Sequence, residues 1–203
     1  PAPDTIEADL PAGTVLHLWL KARSAASAAS LSIVVDGNDA GEPATRRTEE
    51  YEFLSATLST GGRVVLSYDP ATTLLSVAYA FLPQTVLEEG IHVLHTDART
   101  AAPALPAGYH FRPPFGWMND PNGFGRFSGK AHLFYQHYPH GQRWNTMHWG
   151  HAVSKDFLRW AHLPMFLFPA DHLSEKDDGR GGAFSGSAIP VAGPDGAEIR
   201  VFY

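Results

Sequence analysis

Cysteine is absent from the 203 residues, which excludes disulfides, thiolate nucleophiles and any Cys-based zinc site. The absence leaves the compartment open, because a chain of this length builds a core without covalent staples. No apolar run approaches the roughly 20 residues that cross a bilayer, and the first residues, PAPDTIEADLPAG, lack a charged stretch followed by an apolar one. Basic clusters are also missing. The net charge is −6, from 21 Asp plus Glu against 15 Lys plus Arg, so nothing is built to follow a phosphate backbone. Neither nucleic acid nor a membrane is an expected partner. What is present is ordinary for a packed protein: 44% hydrophobic and 18% charged residues.

Long helical periodicity is scarce as well, and short alternating runs take its place. TVLHLWLKA puts Leu16, Leu18 and Leu20 on one face, and LSIVVDGN, YEFLSATL, RVVLSY and LLSVAYAFL read as further strands. Asp36-Gly37 and Gly61-Gly62 punctuate them as turns. The expected fold is all-β. An antiparallel β-sandwich-like accessory domain is assigned to 1–94, and an Ala/Pro-rich linker, HTDARTAAPALPAG, to 95–108. The remainder, 109–203, holds four of the five Trp and dense short strands between Gly, Pro and Asn turns. That pattern suits a propeller or barrel rather than alternating strands and helices. At most one blade and the start of another fit, and AEIRVFY ends in mid-strand, so the C-terminal part of the protein is expected to lie beyond this sequence. Trp19 and several Tyr suggest a carbohydrate platform on the first domain, with a plain packing domain as the competing reading.

The chemistry concentrates in FRPPFGWMNDPNGFG, residues 111–125. Asn119-Asp120-Pro121-Asn122-Gly123 is a turn signal, and a residue before proline favours extended geometry, so Asp120 is expected at a loop edge or strand end, aimed into a pocket. The bland alternative is an Asp that bonds only its own turn. Gln136 closes an apolar strand, and Trp144 and Trp149 flank NTMH; aromatic faces with amides and a carboxylate are what a sugar site requires. Each Trp taken singly reads as core. His137/His140 and His148/His151 have a spacing of three, but such positions on a strand face opposite ways, so no metal site is expected. EKDDGRGG at 175–182 lacks the spaced ligands of a calcium loop. Around Ser185 the Gly-x-Ser-x-Gly pattern fails, which casts it as a hydroxyl donor to substrate rather than a nucleophile.

Three blocks in order, HFRPPFGWMNDPNGF, HLFYQHYPHGQRWNTMHWGHAVSKDFLRWAHLP and FSGSA, closely resemble the opening of glycoside hydrolase family 32, the β-fructosidases that include invertases, levanases and exo-inulinases. The resemblance covers roughly 109–203 and implies the start of a five-bladed β-propeller, followed in the family by a β-sandwich. It implies Asp120 as the nucleophile of a retaining glycosidase, with Asn119, Gln136, Trp144 and Ser185 lining the terminal fructose subsite and Trp117 and Phe184 as apolar walls. It implies no cofactor and no metal, and sucrose or a fructan as the substrate. The family's later blocks, Arg-Asp-Pro with the transition-state acid and Glu-Cys with the acid/base, do not occur in the 203 residues. The chain alone is therefore expected to be inactive. A fructosyltransferase working through the same intermediate and a non-catalytic fructan-binding protein are the alternatives. An extracellular or periplasmic location suits polymeric substrates; a cytoplasmic sucrose hydrolase also fits. Oligomeric state and the preferred β-fructoside are not legible.

Overall fold

The computed structural model describes residues 2–101, 110–169, 182–194 and 196–203. It falls into two compact units, Pro1–Thr85 with His92–Arg99, and Val86–Ile91 with Thr100–Tyr203. The second half of the linker sequence and nearly all of EKDDGRGG lie outside the described residues.

The first unit contains β1 (Asp4–Leu10), β2 (Val15–Ala22), β3 (Ala29–Ser30), β4 (Ser32–Val35), β5 (Asn38–Gly41), β6 (Ala44–Thr45), β7 (Glu52–Thr57), β8 (Gly62–Tyr68), β9 (Thr73–Phe81) and β10 (His92–Thr96). They make two four-stranded antiparallel sheets, β1-β8-β4-β5 and β10-β9-β2-β7, plus the short pair β3-β6. The period-two pattern of β2 decides the packing. Leu16, Leu18 and Leu20 turn to one side and meet Ile33, Val35, Val64 and Leu66 of the other sheet in one buried cluster, which makes the unit a sandwich. Asp36 and Gly37 both adopt positive φ, 48° and 82°, as a two-residue hairpin turn between β4 and β5 requires. The suggested sugar platform does not form from Trp19 and Tyr79, which are 1% and 0% exposed. They pack with His17 and Phe53 as buried aromatics.

The second unit opens with a one-turn helix, α1 (Val86–Glu89), and continues with β11 (Trp117–Phe127), β12 (Lys130–Tyr138), β13 (His148–Ser154), β14 (Ala161–Leu167), β15 (Ser187–Gly193) and β16 (Gly196–Phe202). Strands β11-β12-β13-β14 form one antiparallel meander in chain order, the form of a propeller blade, and β15-β16 a second hairpin. Alternation along β12 sorts its side chains. Phe134 joins Phe127, Trp149 and Ala183, with Ala188, Ile199 and Val201 of the hairpin packed against them. Leu133 and Tyr135 face the opposite way, onto Phe111, Met118 and Trp160.

The expected turn at NDPNG is not a turn. Strand β11 runs straight through it, because two bulges absorb the residues that a regular ladder would reject. Met118 pairs with His137 and Pro121 with Tyr135, so Asn119 and Asp120 together oppose Gln136. Asn122 pairs with Phe134 and Gly125 with His132, so Gly123 and Phe124 oppose Leu133. Proline and glycine are tolerated in a strand at just such places.

Gly123 is required twice over. Its φ is +49°, and a Cβ there would sit 2.6 Å from the Ala188 Cβ and 3.0 Å from the Ala188 nitrogen. Gly129, in the β11–β12 turn at φ +80°, has nothing within 4 Å of a Cβ. Gly123→Ala should therefore lower stability by about 2–3 kcal/mol and Gly129→Ala by about 1 kcal/mol. Chemical denaturation of both variants checks the difference; equal losses would show that β11 and β15 are not tightly apposed at Gly123.

Candidate active site

The first bulge gathers the polar groups. Opposing two residues to one swings Asn119 and Asp120 off the ladder beside Gln136, which itself is buried at 3% exposure. The segment after Gly182 closes in from the side. Ala183 N–H donates to the Met147 carbonyl at 2.8 Å, Gly123 N–H donates to the Gly186 carbonyl at 3.4 Å, and the Trp149 indole N–H donates to the Phe184 carbonyl at 2.9 Å. Gly186 has no room for a side chain, since a Cβ would collide with the Phe202 carbonyl oxygen. This tethering sets Ser185 over the carboxylate.

Ser185 Oγ donates to Asp120 Oδ2 at 2.5 Å. Gln136 Nε2 donates to the same Ser185 Oγ at 3.0 Å, and Asn119 Nδ2 donates to Gln136 Oε1 at 2.9 Å. The Trp117 indole N–H donates to Asn119 Oδ1, also at 2.9 Å. Donation by Ser185, and then by Asn119, holds the Asp120 carboxyl below its ordinary range, against a small opposing effect of burial. Asp120 and Ser185 are both solvent-exposed, so a small molecule can reach the ionised oxygens. An open cleft of about 330 Å³ lies alongside, lined in part by Arg112, Trp117, Met118, Asn119 and Gln142.

Of the residues singled out in the sequence, Trp117, Asn119, Asp120, Gln136 and Ser185 thus form one connected cluster. Phe184 adjoins it in the chain with its ring 43% exposed. Trp144 stands on the β12–β13 connection, 41% exposed; among the described residues no hydrogen bond ties its side chain to the protein. Trp149, by contrast, is fully buried. The two members of the His148/His151 pair contact different groups. His151 stacks on Phe134 and contacts His132, Nε2 to Nδ1 at 3.0 Å, while His148 Nδ1 approaches the Thr146 carbonyl at 3.2 Å.

Two contributors escaped the sequence reading. Asn122 is 1% exposed. Oriented to satisfy both ends of its amide, it donates to the Pro121 carbonyl at 3.2 Å and accepts from the Gln136 backbone N–H at 3.3 Å, and at 3.2 Å it is a second acceptor, beside the Phe184 carbonyl, for the Trp149 indole N–H. It therefore pins the strand just past Asp120. His137 Nδ1 lies 2.8 Å from the Trp117 carbonyl; a carbonyl only accepts, so that nitrogen carries the proton. Burial drives the His137 pKa down to about 3, with His148 adding to the effect, and the ring stays neutral. The only sequence signal for either was a polar residue inside a strand pattern.

The model for the glycosyl hydrolases family 32 N-terminal domain matches residues 110–203. A levanase of Bacillus subtilis is 53% identical over 81 residues, which are 40% of this chain and 11% of the levanase. A sucrose-6-phosphate hydrolase of Escherichia coli is 51% identical over 81 residues, 40% of this chain and 16% of that protein. An insoluble β-fructofuranosidase isoenzyme of Oryza sativa is 34% identical over 134 residues, 64% of this chain and 22% of the relative. Among solved structures, a glycoside hydrolase family 32 protein of Bifidobacterium adolescentis matches with a TM-score of 0.81 and 30% identity, over 97% of this chain and 34% of that one. The chain spans well under two thirds of the length of each of these proteins.

Proposed function

We propose that this chain, whose residues 110–203 match the glycosyl hydrolases family 32 N-terminal domain, belongs to that family, and that the parent protein releases terminal fructose from β-fructosides by a retaining mechanism. The observation that carries the proposal is Asp120: exposed, kept ionised by neutral donors, and mounted on a bulge that lifts it clear of the sheet. In the reaction Asp120 attacks C2 of the fructosyl unit as the C2–O bond to the leaving sugar breaks. A second carboxyl, which this mechanism requires, protonates the departing oxygen and then activates the water that releases fructose. Asn119, Gln136 and Ser185 offer hydrogen-bonding groups for sugar hydroxyls, and the exposed rings of Trp144 and Phe184 offer apolar faces. The levanase, sucrose-6-phosphate hydrolase and β-fructofuranosidase relatives support a fructose-containing substrate.

Incubating the parent protein with sucrose, levan and inulin tests this. Free fructose is expected from at least one of them, with none released by the 203 residues alone, because the Arg-Asp-Pro and Glu-Cys blocks do not occur in them. Failure of the parent on all three would remove the proposal.

A further inference from the structure

The bonds around Asp120 all point one way. Trp117 donates to Asn119, Asn119 to Gln136, Gln136 to Ser185 and Ser185 to Asp120. That order is not an automatic result of having these groups close together. Asn and Gln amides carry an acceptor at one end and donors at the other, and a hydroxyl has one proton with two lone pairs, so a chain of them can run in either direction. Something at an end must choose.

An indole N–H is a donor only. Held 2.9 Å from Asn119, it demands the Asn119 oxygen, which leaves the Asn119 NH₂ toward Gln136. Gln136 must then present its oxygen to Asn119 and its NH₂ to Ser185, which occupies a lone pair of Oγ. The single hydroxyl proton is left for Asp120. In the reverse order Gln136 would accept that proton, and the carboxylate would lose its shortest bond. Resting on the reading of Asp120 as nucleophile, we propose that Trp117 is a positioning residue whose indole N–H fixes the polarity of a four-bond relay, so that Ser185 donates to the nucleophile.

Two further features support the assignment. The backbone of Trp117 is itself clamped, because the buried, neutral His137 donates to its carbonyl at 2.8 Å. The end of the relay that sets direction is therefore the anchored end, and the end that reacts is the exposed one. Among the described residues, the partners the relay sets against Asp120, from β11, from β12 and from the segment before β15, are Asn119, Gln136 and Ser185; all are neutral, so hydrogen-bond direction tunes the carboxylate there.

Trp117 also lines the adjoining cleft, so the test must separate a lost ring from a lost N–H. In the full-length protein, Trp117→Phe removes the indole, and benzothienylalanine at position 117 replaces only the N–H by sulfur. Both are expected to lower kcat by roughly tenfold to a hundredfold. The acid limb of kcat/KM should move to higher pH, and the benzothienylalanine form should change KM by less than about threefold. Ser185→Ala should move the same limb, and adding Trp117→Phe to it should move the limb by less than Trp117→Phe does alone, since the route through Ser185 is already cut and only the direct donation from Asn119 remains. A benzothienylalanine protein with the wild-type limb and kcat, or additive shifts in the double variant, would overturn the relay. Asp120→Asn assayed beside them tells the two failures apart. If it is inactive while the Trp117 forms are unshifted, only the relay falls; if it remains active, the nucleophile reading falls with it.

Discussion

Asp120→Asn in the full-length protein is expected to lower fructose release from β-fructosides by about 10⁴-fold or more, the scale on which loss of a covalent nucleophile is felt. The amide is the closest replacement in shape, so the loss isolates the chemistry. A neutral amide oxygen is a poor nucleophile toward C2, and among the described residues the groups clustered with Asp120, which are Asn119, Gln136 and Ser185, are all neutral and offer no carboxylate to stand in. The fold should not register the change. Asp120 is exposed, and an Asn oxygen can still accept the Ser185 proton. A normal melting temperature beside a collapsed kcat is thus the expected pair of results. A variant that unfolds would instead identify Asp120 as a structural residue of the bulge.

Acid should destabilise the second unit through its buried histidines before the depressed carboxyls of Asp120 and Asp156 titrate. Burial lowers the pKa of His137 to about 3, of His148 to about 4, of His151 to about 3 and of His162 to about 4. Each of these rings binds a proton less readily in the folded chain than in the unfolded one, where the pKa is about 6.5. Their contribution is complete above pH 6.5 and is lost as the pH falls toward the folded values. At pH 4.5 each such ring withdraws about 2–3 kcal/mol, and the sum is comparable with the whole stability of a typical domain, about 5–15 kcal/mol. The depressed carboxyls of Asp120 and Asp156 add a loss of the same sign, but only at lower pH.

The first unit has less to lose. His17 is lowered to about 4 but only partly buried, and His95 is lowered by burial with backbone bonding opposing it. Denaturant titrations at pH 7 and pH 4.5, followed by Trp fluorescence, check this: Trp149 is buried in the second unit and Trp19 in the first. Most of the stability around Trp149 should disappear at pH 4.5, in a transition earlier than that of Trp19. Equal midpoints at the two pH values would mean that these histidines are not held neutral.

Much of the site could be read from the sequence because its groups are close along the chain or at the ends of strong patterns. Trp117, Asn119 and Asp120 fall within four residues, Gln136 ends an apolar run, and FSGSA is a short block of its own. The sandwich core was similarly legible in the period-two leucines of β2. What misled was local chemistry that two structures share. Asn-Asp-Pro-Asn-Gly satisfies a β-turn, but proline without its N–H and glycine at positive φ also satisfy a bulge, and only the facing strand decides between them. Register was needed to see that Asn119 and Asp120 share Gln136. Trp19 illustrates the other gap. An aromatic on a strand carries the same pattern whether its face meets solvent or core, and here the face is buried with Phe53 and Tyr79. The relay direction was beyond sequence altogether, since it depends on which end of each amide faces its neighbour.

The bond proposed between the Asp120 carboxylate and a fructosyl carbon can be weighed. The full-length protein should be quenched in acid during turnover of sucrose, digested, and the peptide containing WMNDPNG examined by mass spectrometry. A fraction of that peptide should carry the mass of one fructosyl residue, fragmentation should place it on Asp120, and the adduct should be absent from Asp120→Asn. Steady turnover with the adduct on a different residue, or with release of the inverted anomer of fructose, would contradict it.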